Sequence, residues 1–152
     1  RSAALPVAYA AHFAEVEVDI ETGLVQVVDF VAVHDVGKAI NPGFVEGQIH
    51  GGVQMGIGYA LYEEIKITPE GRPLNDSFKD YFVVNAPEMP EVRVFLVEKG
   101  EAGGPFGAKG VGEIATVPAA PAVANAVNNA LGSNFCDLPL TPAKILARLK
   151  QG

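Results

Sequence analysis

The segment from residue 100 to residue 113 constrains this chain more than any other, because it can form neither a regular helix nor a regular strand. Its sequence is Gly-Glu-Ala-Gly-Gly-Pro-Phe-Gly-Ala-Lys-Gly-Val-Gly-Glu. Glycine destabilises the interior of both kinds of element, and proline removes a backbone donor. The segment therefore separates two regions of regular structure, and it delivers one carboxylate, that of Glu113, to the start of a following helix.

A β-hairpin is predicted near the N-terminus. From Phe13 to Ile20, apolar and acidic residues alternate, which is the pattern of a strand with one buried face. Glu21-Thr22-Gly23 supplies a turn, with the glycine free to adopt a positive φ, and residues 24–33 form a second, strongly apolar strand. The buried side of the first strand carries Ala14, Val16, Val18 and Ile20, and its acidic side carries Glu15, Glu17 and Asp19.

A glycine-rich helix is predicted after the hairpin. Asn41-Pro42 is typical of an N-cap followed by proline at the first helical position, and the helix should run to about Tyr62. The glycines at 43, 47 and 51 are spaced by four, so they share one face and allow another backbone or a ligand to approach closely. A core helix packed tightly on a sheet, with no ligand, is the alternative.

The second half of the chain is predicted to hold one short strand and two helices. The strand covers residues 92–97, between turn-rich loops and the glycine segment. One helix runs from about Val117 to Leu131, with Gly132 as its stop, and the last covers residues 142–150 with Thr141 as its N-cap. Strands and helices mix without a regular β-α-β rhythm, so the predicted fold class is α+β.

Composition excludes several classes of function. The chain has 152 residues, 49% of them hydrophobic, and a net charge of -7, which suits one domain with a core and disfavours nucleic acid or an anionic membrane surface as a partner. Glu46, Gln48, His50 and Gln54 interrupt the glycine-rich helix and argue against a membrane span. The one cysteine, Cys136, is expected to be buried and suits a reducing, cytoplasmic compartment.

Known sequence motifs explain little of the glycine segment. Residues 110–115 match the Gly-x-Gly-x-x-Ala form of a dinucleotide-binding loop, but the preceding strand ends near residue 97, too far away. A phosphate-binding loop needs glycine directly before the lysine and a serine or threonine after it, and Lys109 has neither. His12, His34 and His50 lie far apart in the sequence, so core or surface roles are expected and no metal ligand is predicted.

From composition alone, Glu113 has an ordinary explanation. A carboxylate in the first turn of a helix stabilises that helix by interacting with its dipole. The alternative is that the glycines let the backbone wrap closely around something bulky and present the carboxylate to it.

Long motifs in register resemble one family. Residues 34–42, His-Asp-Val-Gly-Lys-Ala-Ile-Asn-Pro, continue into residues 47–58, Gly-Gln-Ile-His-Gly-Gly-Val-Gln-Met-Gly-Ile-Gly, and residues 107–113 read Gly-Ala-Lys-Gly-Val-Gly-Glu. These stretches, together with Leu140-Thr141-Pro142, resemble the large subunit of the xanthine dehydrogenase/aldehyde oxidase family in order and spacing. The resemblance covers nearly the whole chain.

The resemblance implies a molybdenum hydroxylase. It implies that residues 1–152 are the C-terminal segment of a molybdopterin-binding domain, and the start at Arg1 suggests a cut within a longer polypeptide. The expected cofactor is molybdopterin with molybdenum, in the cytosine dinucleotide form common in bacteria. The expected partners are the remaining molybdopterin-subunit polypeptide, an iron-sulfur subunit and an FAD subunit, with a small molecule as substrate.

The resemblance also implies roles for single residues. Glu113 matches the family glutamate that accepts a proton from a hydroxide ligand of the molybdenum, and Gln48 matches a glutamine that contacts the pterin. Further cofactor-binding positions are Gly47, Lys109, Gly110 and Gly112. The implied reaction hydroxylates a purine, an aldehyde or an N-heterocycle with water as the oxygen source, and the alternative is a non-catalytic structural or assembly module of the same complex.

Overall fold

The computed structural model describes residues 6–100 and 103–150 and confirms the α+β class. Three strands form one mixed sheet in the order β1-β2-β3, and three helices complete the architecture. The elements are β1 (Ala10–Val18), β2 (Val25–Asp35), α1 (Pro42–Leu61), β3 (Glu91–Val97), α2 (Ala119–Leu131) and α3 (Pro142–Leu149).

The predicted hairpin is confirmed, with shifted bounds. β1 and β2 pair antiparallel, and Gly23 takes a φ of 75° in the turn between them. The carboxylate of Asp19 accepts the backbone N–H of Glu21 at 2.8 Å and the hydroxyl of Thr22 at 2.7 Å. This turn begins before Ile20, so that side chain lies beyond the strand and is 67% exposed instead of buried.

β3 pairs with β2 in parallel, a pairing that the sequence pattern does not predict. Two adjacent parallel strands require a crossover connection, and α1 lies within that connection. The chain therefore contains one β-α-β unit. Residues 36–90 also include long turn-rich loops, so the spacing of apolar residues along the sequence does not reveal the β-α-β unit.

Helix α1 has the predicted N-cap, since the side chain of Asn41 accepts the N–H of Phe44 at 3.2 Å. The close approach of another segment occurs at Gly52 and Gly56, not at the predicted face of Gly43, Gly47 and Gly51. A Cβ added to Gly52 would lie 2.5 Å from the Cβ of Ala115, and one added to Gly56 would overlap Ala119. Added Cβ atoms at Gly47 and Gly51 would meet no described atom within 4 Å.

The core lies on one face of the sheet, where α1 and α2 cover it. α2 ends at Gly132, which has the predicted left-handed conformation with a φ of 58°. Fully buried side chains come from the sheet, the helices and the loops, and the largest are Phe30, His34, Val36, Ile49, Val53, Val123, Val127, Leu140 and Ile145. No helix in the described part of the chain is long and apolar enough to span a membrane.

The last segment corrects one expectation and confirms another. Cys136 is exposed, not buried, because it lies in the loop between α2 and α3. α3 begins as predicted, with the Thr141 hydroxyl accepting the N–H of Lys144 at 3.4 Å. It packs against the hairpin turn, where a Cβ added to Gly23 would lie 2.5 Å from the carbonyl oxygen of Pro142.

Candidate functional site

The predicted site residues gather where three segments of the chain meet. These segments are the loop after β2, the first half of α1 and the glycine segment at 107–113. A cleft of about 230 Å³ lies between them. Phe44 and Gln48 line it from α1, and Ala108, Lys109 and Val111 line it from the glycine segment.

Lys109 anchors the glycine segment to the sheet. Its backbone N–H donates to the carbonyl of Val36 at 2.9 Å. Its ammonium donates to the carboxylate of Asp35 at 2.7 Å and to the carbonyl of Val7 at 2.9 Å, and lies 5.9 Å from the ring centroid of Tyr9. The side chain is 6% exposed, so the cation predicted to bind cofactor faces into the fold.

Gly37 allows this anchoring. It has a φ of 66°, a region that side-chain-bearing residues rarely adopt. A Cβ at this position would overlap the carbonyl oxygen of Gly107 and lie 3.0 Å from the Cγ of Lys109. The glycine segment thus passes directly over the backbone that follows β2, at a distance that only glycine permits.

Gln48 and the end of the glycine segment lie side by side. A Cβ added to Gly112 would be 3.8 Å from the Oε1 of Gln48, whose side chain is exposed. Glu113, the next residue, is also exposed, and its carbonyl accepts the N–H of Thr116 at 3.0 Å in the turns that lead to α2. The structure therefore brings the backbone of Gly112, one residue before the predicted carboxylate, next to the predicted amide.

The helix-dipole explanation of Glu113 does not fit this geometry. α2 begins at Ala119, and its first turn contains no acidic residue. The interaction of a charge with the dipole is confined to the first turn of a helix. The carboxylate at 113 therefore has no capping function for α2.

The site passes a test of fit for a molybdopterin cofactor. The glycines at 47, 51 and 110 have no described atom within 4 Å of an added Cβ, so packing among the described residues does not account for them. A large heterocyclic ligand approaching the backbone would account for them. Gln48 offers both amide donors and a carbonyl acceptor, a donor set that suits a pterin ring.

A pair of histidines forms a contact that sequence reasoning missed. The Nε2 atoms of His12 and His34 lie 2.7 Å apart, and both Nδ1 atoms are buried with no partner among the described residues. Burial, and then the neighbouring His34, lower the pKa of His12 to about 4, and burial lowers the pKa of His34. The two histidines are 22 residues apart in the sequence, and only the pairing of β1 with β2 brings their rings together.

A larger cleft, of about 730 Å³, lies at the other end of the hairpin. It is lined by the end of β1, the start of β2, Tyr62 and residues 87–90. None of the predicted site residues borders it. The larger of the two clefts is therefore not the one that the predicted site residues line. The candidate site is the smaller cleft, at Gln48.

Comparison with known proteins shows the family of the chain. A family model described as the molybdopterin cofactor-binding domain matches residues 2–90. The 6-hydroxypseudooxynicotine dehydrogenase complex subunit gamma of Paenarthrobacter nicotinovorans is 39% identical over 92% of this chain and 18% of its own length. The probable hypoxanthine oxidase XdhD of Escherichia coli K12 is 38% identical over 94% of the chain and 15% of its own length.

Solved structures show the same fold. Quinoline 2-oxidoreductase from Pseudomonas putida 86 aligns with a TM-score of 0.90 and 36% identity, over 95% of this chain and 19% of its own. The chain thus spans less than a fifth of the length of these relatives. Since the family model covers more than half of the 152 residues, the chain belongs to the molybdopterin cofactor-binding domain family.

Proposed function

We propose that this chain is the part of a molybdenum hydroxylase that contributes the catalytic base, Glu113, and one wall of the cofactor site. The observation that carries the proposal is the convergence at the cleft. The anchored glycine segment passes Gln48 at Gly112, one residue before Glu113, and Cβ atoms added to the nearby Gly47 and Gly110 would meet no described atom within 4 Å, which supports the proposal.

In this proposal, the amide of Gln48 binds the pterin of a molybdopterin cofactor, in its cytosine dinucleotide form. Gly47, Gly110 and Gly112 admit the cofactor close to the backbone. Lys109 holds the glycine segment in place through its buried ammonium. When bound, the cofactor supplies the molybdenum that takes up electrons from the substrate.

Glu113 acts as a general base. Hydroxylation of a carbon with water as the oxygen source releases protons, and a carboxylate beside the reacting oxygen accepts one of them on an Oε atom. The residue is exposed in the described part of the chain, which leaves its carboxylate accessible to a bound ligand. The proposed substrates are small electron-poor molecules such as purines, aldehydes and N-heterocycles.

The chain works within a larger assembly in this proposal. One curated relative is named as subunit gamma of a dehydrogenase complex. The proposed partners here are the rest of the molybdopterin-binding polypeptide, an iron-sulfur subunit and an FAD subunit, which pass electrons to an acceptor. The proposed location is the cytoplasm.

The test is Glu113→Gln in the full-length subunit, purified with its partners. The amide keeps the shape of the side chain but cannot accept the proton, so turnover per molybdenum atom should fall at least about a hundredfold. Molybdenum and pterin contents should stay at the wild-type level. Glu70→Gln, at an exposed carboxylate in the turn at 68–71, is the matched control and should keep full turnover.

Two results would contradict the proposal. Unchanged turnover in the Glu113→Gln enzyme would remove this carboxylate from the mechanism. Absence of molybdenum from a mature wild-type assembly would instead support the non-catalytic assembly module.

A further inference from the structure

The ion pair between Lys109 and Asp35 joins three segments of the chain. Lys109 belongs to the glycine segment, and Asp35 is the last residue of β2. The second hydrogen bond of the ammonium, to the carbonyl of Val7, adds the segment before β1. The other carboxylate oxygen of Asp35 accepts the N–H of Gly37 at 3.2 Å.

The pair is largely shielded from solvent, with side-chain exposures of 6% for Lys109 and 18% for Asp35. Hydrogen bonding to Lys109 is the largest of the effects that lower the pKa of Asp35, so the carboxylate stays ionised at neutral pH. Burying two charges costs free energy that their attraction often only just offsets. A largely shielded pair of this kind is therefore better explained by the geometry that it enforces than by the stability that it adds.

β2 carries a second ion pair that provides a comparison. Asp29 pairs with Arg93 of β3, with side-chain exposures of 34% and 53%. It links two strands at the surface and lies outside the candidate cleft. Such exposed pairs contribute little to stability.

The residues between Lys109 and Glu113 have little other support. A Cβ added to Gly110 would meet no described atom within 4 Å, and one added to Gly112 would meet only Gln48. Two glycines in three residues leave that short stretch with many accessible backbone conformations. The position of the carboxylate therefore depends on how firmly Lys109 is held.

We infer that the Lys109–Asp35 ion pair is a positioning device that sets the place of Glu113 relative to the cofactor. The inference rests on the proposed function of Glu113. The pair acts through the backbone of residues 109–113, and neither of its charges takes part in the proton transfer. A small displacement of a catalytic group is enough to lower a rate by about a hundredfold.

The experiment compares Lys109→Met, Asp35→Asn and the control Arg93→Met in the purified full-length enzyme. Hydrogen–deuterium exchange of the peptide covering residues 107–113 should be faster in the first two variants and unchanged in the control. Turnover per molybdenum atom should fall at least about tenfold in the first two, with KM changed less than about threefold. Lys109→Arg, which keeps the cation, should restore both readouts.

A double variant that combines Lys109→Met with Glu113→Gln distinguishes an effect on the position of Glu113 from a general loss of structure. If Lys109 acts through Glu113, adding Lys109→Met to Glu113→Gln should lower turnover by less than about twofold more, because coupled changes are not additive. A full additional loss would overturn the inference. So would unchanged exchange in Lys109→Met together with unchanged turnover.

These failures are distinguishable from failure of the proposed function. Normal turnover in the single variant Glu113→Gln would refute the base itself. Loss in Glu113→Gln with neither loss nor faster exchange in Lys109→Met and Asp35→Asn would refute only the positioning role. The Asp35→Asn variant keeps the test decisive if Lys109→Met does not fold.

Discussion

His12 and His34 show how burial changes the chemistry of single residues. His34 is fully buried, and the ring of His12 lies edge-on to Phe30 with the centroids 5.3 Å apart. Two adjacent imidazoles in such surroundings resist a positive charge, because neither is well hydrated and each repels the charge of the other. Both side chains are therefore neutral in the folded protein at neutral pH.

The pair predicts a pH dependence of stability. The pKa of His12 is lowered to about 4 in the folded chain, against an ordinary value of 6.5. As the pH falls from about 6.5 to about 4, the unfolded chain takes up a proton that the folded chain does not, so the free energy of unfolding decreases. Below that range the contribution levels off.

Urea unfolding of the chain at a series of pH values, together with NMR titration of His12, would measure this effect. His12→Phe should flatten the dependence, because the phenyl ring cannot be protonated. His50→Gln, at an exposed histidine, is the control and should leave the dependence in place. A titration midpoint of His12 near its ordinary value would contradict the prediction.

A second prediction at the residue scale concerns Gly37. Gly37→Ala should destabilise the fold by about 1–3 kcal/mol from backbone strain, and further by overlap with the carbonyl of Gly107. Gly71→Ala is the matched control, because Gly71 also has a positive φ, of 83°, but an open environment among the described atoms. Denaturant unfolding should show the larger loss for Gly37→Ala, and equal losses would contradict the overlap.

At the scale of elements, α1 carries two sets of glycines with different functions. Gly52 and Gly56 face Ala115 and Ala119, and they allow α1 to pack closely against the start of α2 and the turn before it. Gly47 lies outside this contact, with no described atom within 4 Å of an added Cβ. The spacing of four occurs in both sets, so spacing alone could not decide which set meets another part of the chain.

This difference predicts opposite effects on stability. Gly52→Ala should destabilise the fold, because overpacking costs about 1–3 kcal/mol and exceeds the gain of about 1 kcal/mol in helix propensity. Gly47→Ala should stabilise the fold by up to about 1 kcal/mol, since its Cβ meets nothing in the described chain. Denaturant unfolding of both variants measures the contrast.

Under the proposed function, Gly47→Ala should also reduce the pterin content of the assembled enzyme, because its methyl group would occupy space taken by the cofactor. Assay of the released pterin checks this. A stabilised variant with full pterin content would place Gly47 outside the cofactor site.

Local elements were predictable from the sequence, and distant pairings were not. The N-cap at Asn41 and the stop at Gly132 follow from the chemistry of one or two residues, so the helix ends agree within about two residues. The ion pair of Lys109 joins positions 74 residues apart, and the histidine contact joins positions 22 apart. No periodicity links such positions, because only the folded sheet brings them together.

At the scale of the whole molecule, much of the surface around the candidate site stands open. In the first half of α1, only Ile49 is buried among residues 42–51. On the outer face of the sheet, Phe13 is 63% exposed and Phe95 is 54% exposed. Since the chain spans 15% to 19% of its relatives' length, we expect further polypeptide to cover these surfaces in a complete enzyme.

The isolated 152 residues are therefore predicted neither to hold the cofactor tightly nor to turn over substrate. One wall of a cofactor site leaves most of a bound ligand in water, and small-molecule sites normally bury most of their ligand. Metal and pterin assays of the purified chain, after maturation in cells that make the cofactor, would test this. Stoichiometric molybdenum with full activity would refute it.

The contact of Ala115 with Gly52 has a consequence for the five residues that precede it. Residues 110–114 lie between two fixed points, the ion pair of Lys109 and the packing of Ala115 against Gly52. The glycines at 110 and 112 leave this span flexible, so the contacts at both of its ends are needed to keep the carboxylate at 113 in place. Under the proposed function, we therefore expect a change at either end to alter turnover, although neither end meets the substrate.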